Sequence, residues 1–376
     1  MDTKSLLKRL VETESPSSDK AAVDRVGAIV AQEARKLGAE IEIIRNKETG
    51  DHVLCRFLAL SGASRQANEV EAHNKPILLL CHMDTVFPIG MLSKMPYHEA
   101  DGKIFGPGTL DMKAGIVISL AAVEELKESG QMLPWPITLL CTSDEEIGSL
   151  TSKEPIERLA RESAMVFVME SALLDGSLKT WRKGSGGFWI KTKGRAAHAG
   201  GDHEKGRNAI EEMAHQIIAI QKMTDYSKGT TLNVGVIHGG TVSNVVPEEA
   251  SIEVDVRILQ PEEWGRVDVA MHALKPVLEG TSIEIAGGLN RGPVPFDDKM
   301  KATFAKVKSI GEQLGMEIKA GGSGGVSDAN FVAALGVPVI DGMGAIGEGY
   351  HSEREFIFTD SLEERKKLLA TLIKNW

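Results

Sequence analysis

The chain has 376 residues, of which 42% are hydrophobic and 26% charged, and a formal net charge of -10. That length is sufficient for two domains with separate cores, and the composition is ordinary for a globular protein. An acidic balance without any Lys/Arg-rich run argues against nucleic acid or an anionic membrane as partner, and no segment approaches a membrane-spanning length.

In chain order, the N-terminus is amphipathic and acid-containing, without the continuous apolar core of a signal peptide. Helical periodicity over residues 19–37 predicts a helix with Ser17 or Ser18 as N-cap and Gly38 as its stop. Strand-like runs follow at 41–44, 53–60 and 77–81, with the polar piece 61–74 read as a hairpin loop. A second helix over 113–129, stopped by Gly130, precedes a strand over 137–142. Strands alternating with long helices predict an α/β fold with a mostly parallel sheet. From about Gly184 the pattern changes: strand 188–193, helix 208–223, strands 232–237 and 252–258, helix 262–278 and strand 282–285. This β-α-β-β-α-β order is that of the ferredoxin-like split unit. Helices 298–314 and 329–335 and strand 337–340 then resume the first pattern. The expected organisation is one domain of residues 1–183 and 293–376, interrupted by a smaller α+β domain of residues 184–292. Cys55, Cys81 and Cys141 lie in apolar runs without C-x-x-C spacing, which predicts reduced, buried thiols and a cytoplasmic protein.

Four apolar runs lead into groups that can bind metal. Pro76-Ile-Leu-Leu-Leu-Cys81 continues as His82-Met-Asp84, and Leu139-Leu-Cys141 leads into Asp144-Glu145-Glu146. Residues 165–169 run into Glu170, and residues 338–341 precede a Gly-rich loop that ends in His351. Singly, each has an ordinary structural reading as a turn residue, helix cap, solvated helix start or surface histidine. Together they place imidazoles and carboxylates at the carboxyl edge of an α/β sheet, where such folds bind ligands. A hydrolytic two-metal site needs terminal His and carboxylate ligands, a bridging carboxylate and an unligated carboxylate as base. His82 suits a ligand, with Asp84 accepting its other ring N–H. Asp111, directly ahead of the second helix, suits the bridge. Of Glu145 and Glu146, one can bind metal while the other stays free as base, and Glu170 and His351 complete two ligand sets.

The segments His82-Met-Asp84-Thr-Val-Phe-Pro, Gly106-Pro-Gly-Thr-Leu-Asp111-Met-Lys, Asp144-Glu145-Glu146-Ile-Gly-Ser149 and Gly349-Tyr-His351-Ser-Glu occur in an order that resembles a known family. It is that of the di-zinc metallopeptidases of the aminoacylase, glutamate carboxypeptidase and succinyl-diaminopimelate desuccinylase type, and the glutamate carboxypeptidase branch resembles the chain most. The resemblance implies two Zn2+ per subunit, with Co2+ or Mn2+ able to substitute. It gives His82 and Glu170 to one ion, Glu146 and His351 to the other, and Asp111 to both. It makes Glu145 the base and proton donor and Asp84 the orienter of His82. The inserted domain is similar to the family's lid and dimerisation domain, which implies a homodimer. There, His198 in Gly194-Arg-Ala-Ala-His198-Ala-Gly200 resembles a histidine that stabilises the oxyanion in a partner subunit's site. Asn244 and Arg291 resemble contacts to the substrate's amide and carboxylate. Read without the family, His198 is a tight-turn residue, Asn244 an Asx-turn and Arg291 a surface charge. Two departures stand out: Ala114 replaces a common glycine, and Lys179 follows the Glu170 ligand without the aligned serine expected in glutamate-specific members. The implied activity is release of a C-terminal amino acid, glutamate among the candidates, from a small peptide or N-acyl substrate. N-acyl amino acid deacylation and dipeptide cleavage are the alternatives within the same machinery. A catalytically silent metal-binding homologue is the alternative of a different class, against which the retained Glu145 speaks.

Overall fold

The computed structural model describes residues 1–58, 75–128 and 135–376; the loop expected over 61–74 and the stop at Gly130 lie outside them. These residues form two compact units, one of Met1–Trp181, Phe296–Ser323 and Ser327–Trp376, the other of Arg182–Pro295 and Gly324–Val326.

The first unit is built on a six-stranded sheet in the order Glu40–Ile44, His52–Phe57, Ile137–Thr142, Ile77–His82, Met165–Val168 and Val339–Ile340. The first two strands pair antiparallel, as do His52–Phe57 and Ile137–Thr142, whereas the other three pairings are parallel. Both Ile77–His82 and Ile137–Thr142 are buried at every residue, which is why they read as unbroken apolar runs instead of alternating ones. Parallel pairing puts the carboxyl ends of Ile77–His82, Ile137–Thr142 and Met165–Val168 side by side, so the polar residues that follow them share one edge.

Helix Lys20–Lys36 buries Val23, Val26, Val30 and Ala34 at helical spacing. Its N-cap is Asp19, whose side chain accepts from Ala22 N, and not the expected Ser17 or Ser18. Ser17 is occupied elsewhere, donating from Oγ to Asp84 at 2.7 Å. Helix Ala114–Glu128 is buried along most of its length, and helix Asp360–Asn375 buries Leu368, Leu369, Leu372 and Ile373. Sequence periodicity did not assign Asp360–Asn375, nor Thr3–Val11 and Lys153–Glu162. A four-stranded antiparallel sheet orders Gly347–Glu348, Phe356–Phe358, Lys103–Phe105 and His98–Ala100. It ties the segment before Asp111 to the segment after His351, through the pairing of Phe105 with Phe356.

In the second unit, antiparallel strands run in the order Thr231–Gly239, Glu249–Ile258, Gly184–Lys193 and Ser282–Arg291. Burial alternates along Glu249–Ile258, as in a sheet covered on one face. Phe188, Ile190, Ile252, Val254 and Val256 of that face form a core with Met213 and Ile220 of helix Ala209–Gln221 and Val267 and Met271 of helix Pro261–His272. The second of these helices ends six residues before the expected 278. Pro276 has no N–H to continue it, and the carboxylate of Glu212 instead takes the N–H groups of Val277 and Leu278.

Candidate metal centre

His82 is the last residue of the central strand Ile77–His82 and is 1% exposed. Its Nδ1 lies 3.0 Å from the Asp84 carbonyl oxygen and 3.5 Å from Asp84 Oδ1. The backbone carbonyl is therefore the nearer partner, where the sequence had suggested the carboxylate. The carboxylate is shared more widely: it accepts from Ser17 Oγ at 2.7 Å, from Glu145 N at 3.3 Å and from Glu146 N at 3.2 Å. Asp84 thus holds both the imidazole and the turn that carries the two glutamates. With Nδ1–H donated to Asp84, the Nε2 lone pair is left for a ligand. It faces Asp111 Oδ1 at 3.1 Å and Glu170 Oε1 at 3.5 Å.

Asp111 sits in the irregular turn Thr109–Lys113 that feeds helix Ala114–Glu128, and the peptide bond after it is cis. Its second oxygen, Oδ2, is 3.2 Å from Nε2 of His351, which is in turn 3.3 Å from Glu146 Oε2. One carboxylate therefore has an imidazole on each oxygen. The helix that follows packs closely on the strand end that leads into Glu170, since a Cβ on Gly115 would stand 2.2 Å from the Met169 carbonyl oxygen. His351 has φ 55° and a half-exposed side chain, in the loop between strands Gly347–Glu348 and Phe356–Phe358.

These donors suit a borderline-soft dication that takes imidazole nitrogen and carboxylate oxygen. Bonds of about 2.0–2.1 Å in tetrahedral geometry place ligand atoms about 3.3 Å apart, and the separations here run from 3.1 to 3.5 Å. The potential ligand atoms of His82, Asp111 and Glu146 lie within 4.8 Å of one another. The charges of the clustered groups perturb one another strongly. Hydrogen bonds to Asp111 and Glu146 push His351 up to about 10, and burial together with the Asp111 charge pushes Glu146 up to about 7, against the pull of His351. Burial opposes ionisation of Asp111, but His351 and His82 hold its carboxyl well below the usual range.

The structure brings His82, Asp84, Asp111, Glu146, Glu170 and His351 together, and Glu145 joins them through its backbone contact with Asp84. In the second unit, Ala197–His198 pairs with Val245–Val246, and Ala199 N donates to the Asn244 carbonyl at 3.0 Å. His198 Nδ1 accepts from Gly200 N at 3.1 Å and Gly201 N at 3.0 Å, so in the neutral ring the proton lies on Nε2. Arg291 ends strand Ser282–Arg291; it is 2% exposed, not a surface charge, and its Nε donates to Asn290 Oδ1 at 2.8 Å. Lys179 is buried beside Tyr350, with Nζ 3.5 Å from the hydroxyl, and Ser171 Oγ shares a hydrogen bond with that hydroxyl. Sequence reasoning had no signal for Ser17 beyond a capping serine, none for Tyr350, and none to single out Glu355, whose carboxylate accepts three N–H groups from the Asp111 turn.

Comparison with known proteins adds three findings. Residues 78–375 match the model of peptidase family M20/M25/M40. Carboxypeptidase G2 from Pseudomonas sp. (strain RS-16) is 29% identical over 98% of this chain and 87% of its own length, and acetylornithine deacetylase from Proteus mirabilis (strain HI4320) is 28% identical over 99% and 96%. The solved structure of aminopeptidase PepT from Bacillus cereus ATCC 10987 shares the fold, with a TM-score of 0.80 at 23% identity, covering 99% of this chain and 97% of that one.

Proposed function

The chain belongs to peptidase family M20/M25/M40 and is a metal-dependent amide hydrolase, and from that premise we propose that it releases a C-terminal amino acid from a small peptide or N-acyl substrate. The observation that carries the reading is the Asp111 carboxylate, met on one oxygen by His82 and on the other by His351. We assign Asp111 to two Zn2+, one held also by His82 and Glu170, the other by Glu146 and His351. The chemistry two bound dications supply is polarisation of the scissile carbonyl and acidification of the attacking water toward a pKa of about 7.

The chain's own residues do the rest. Glu145, held at its backbone by Asp84, takes a proton from the attacking water as the new C–O bond forms. It returns that proton to the amine nitrogen as the C–N bond breaks. His198, whose Nδ1 is fixed by two backbone donors, offers Nε2–H to the oxyanion in a partner subunit. The homodimer would form through residues 184–292, and exposed Val236 and Ile237 on the edge strand Thr231–Gly239 favour such a contact. Asn244 is assigned to the substrate amide and Arg291 to its carboxylate. Lys179, buried beside Tyr350 one residue before His351, supports glutamate as the released residue. Three buried free thiols fit a reducing cytoplasm.

Similarity to acetylornithine deacetylase supports a second reading, hydrolysis of an N-acyl amino acid on its acyl side. A panel of dipeptides, acyl-dipeptides and N-acetyl amino acids, varied at the C-terminal residue, separates the two. Release of the C-terminal amino acid from longer acyl-peptides, fastest for glutamate, supports the first. Turnover confined to N-acetyl amino acids overturns it in favour of deacylation.

A further inference from the structure

Glu355 is fully buried, and no ligand assignment uses it. Its Oε1 accepts from Leu110 N at 2.7 Å and Asp111 N at 3.1 Å, and its Oε2 accepts from Gly108 N at 3.2 Å. Three N–H donors of one turn converging on a single carboxylate fix the backbone from which the Asp111 side chain projects. Gly108 can take part because it adopts φ 74°, where a Cβ would stand 2.6 Å from Thr85 Cγ2. At its other end Glu355 closes the loop that carries His351. Its N–H donates to Ser352 O at 3.2 Å, Ser352 N donates to Gly349 O at 3.1 Å, and Phe356 enters the small sheet opposite Phe105. The bonds therefore join the loop of one ligand directly to the turn of another.

We propose that Glu355 is a positioning residue that clamps the Asp111 turn to the His351 loop, so that one carboxylate fixes the spacing of the shared ligand and the terminal histidine. The inference rests on the di-metal reading of the site. A bridging carboxylate must present two oxygens to two ions at once, so a rotation of its backbone costs affinity at both. Loss of an outer partner of this kind typically weakens metal binding by about 10–100-fold. A purely structural carboxylate would weaken folding and leave affinity alone. Glu212 provides that comparison: it is equally buried and accepts from Val277 N and Leu278 N, but its partners all belong to the second unit and none carries a candidate ligand.

The test uses the full chain, freed of metal by chelation and titrated with Zn2+ and Co2+ against a chromophoric chelator. Wild type, Glu355→Ala, Glu355→Gln and Glu212→Gln are compared for ions bound, dissociation constant, Co2+ absorption spectrum and unfolding temperature of the metal-free form. Glu355→Ala should lose affinity by about 10–100-fold with an altered Co2+ spectrum. Glu355→Gln, which keeps the shape and one acceptor oxygen, should lose less, and it carries the test if Glu355→Ala does not fold. Glu212→Gln should lower the unfolding temperature without changing affinity. Glu355 variants that bind two ions with wild-type affinity and spectrum overturn the inference alone. A wild type that binds no ion overturns the underlying di-metal reading.

Discussion

Asp84 has more to hold than one imidazole. Its carboxylate accepts from Ser17 and from the N–H groups of Glu145 and Glu146, while its carbonyl takes the His82 ring. Asp84→Ala keeps the carbonyl that holds His82 but removes the acceptor of the Glu145 and Glu146 N–H groups. It should therefore weaken metal binding through Glu146 by up to about 10–100-fold and also lower kcat in the fully loaded enzyme, because the Glu145 turn loses its anchor. Chelator competition and steady-state kinetics at saturating metal would measure the two effects, and wild-type kcat in the loaded variant would contradict the second. Glu145→Ala should keep its metal content, read by elemental analysis, and lose turnover by about 10²–10⁴-fold or more, the usual share of a general base; near-normal turnover would remove Glu145 from that role. At this scale His82, Glu146 and Glu170 were legible as candidate ligands because each stands at or just after the end of an apolar strand. Asp111 was legible from its place ahead of a helix, and His351 from the Gly-rich loop before it. Ser17, Tyr350 and Glu355 were not legible, because their partners are backbone atoms or side chains distant in sequence. Glu355 and Glu353 look alike in the sequence, and only the folded turn of Gly108–Asp111 distinguishes them.

The central strands carry the site because they run parallel and end together. Ile77–His82 and Ile137–Thr142 were legible as buried strands from their apolar runs, and the helix after Asp111 from its periodicity. The terminal helix Asp360–Asn375 was harder, because its polar residues are interleaved with a stripe whose burial depends on tertiary packing. Gly115 shows how tightly the elements meet. Gly115→Ala puts a Cβ against the Met169 carbonyl oxygen, a backbone atom that cannot swing away. It should cost about 1–3 kcal/mol or more in denaturant unfolding, and an unchanged midpoint would contradict the packing described. Asp51, after strand Glu40–Ile44, governs an acid limb of stability. Burial would raise its carboxyl, but Asn46 N–H, Lys20 and Arg45 outweigh burial and lower it to about 2. Its folded value lies below the unfolded value of about 3.9, so its contribution is present above that pH and is lost as pH falls toward 2. Asp51→Asn should lower stability at pH 7 and flatten the decline between pH 4 and 2, as read by urea unfolding across that range.

At the scale of the whole molecule, the change of pattern near Gly184 was visible because a parallel, buried grammar gives way to strands that alternate. The proposed homodimer through residues 184–292 rests on the family resemblance. His198 acting in a partner's site predicts that His198→Ala and Glu145→Ala chains, each inactive alone, recover part of the activity when mixed as heterodimers. Verified heterodimers without recovery would place His198 outside the chemistry. Among the described residues no helix is long and apolar enough to cross a membrane. The central claim is that Asp111 is shared by two ions on which hydrolysis depends. Its most direct test is a titration of the chelated, inactive protein with Zn2+, following bound metal and amide hydrolysis together. The account predicts full activity at two ions per chain and none in the stripped enzyme; undiminished hydrolysis after exhaustive chelation, or saturation at fewer than two ions, would contradict it.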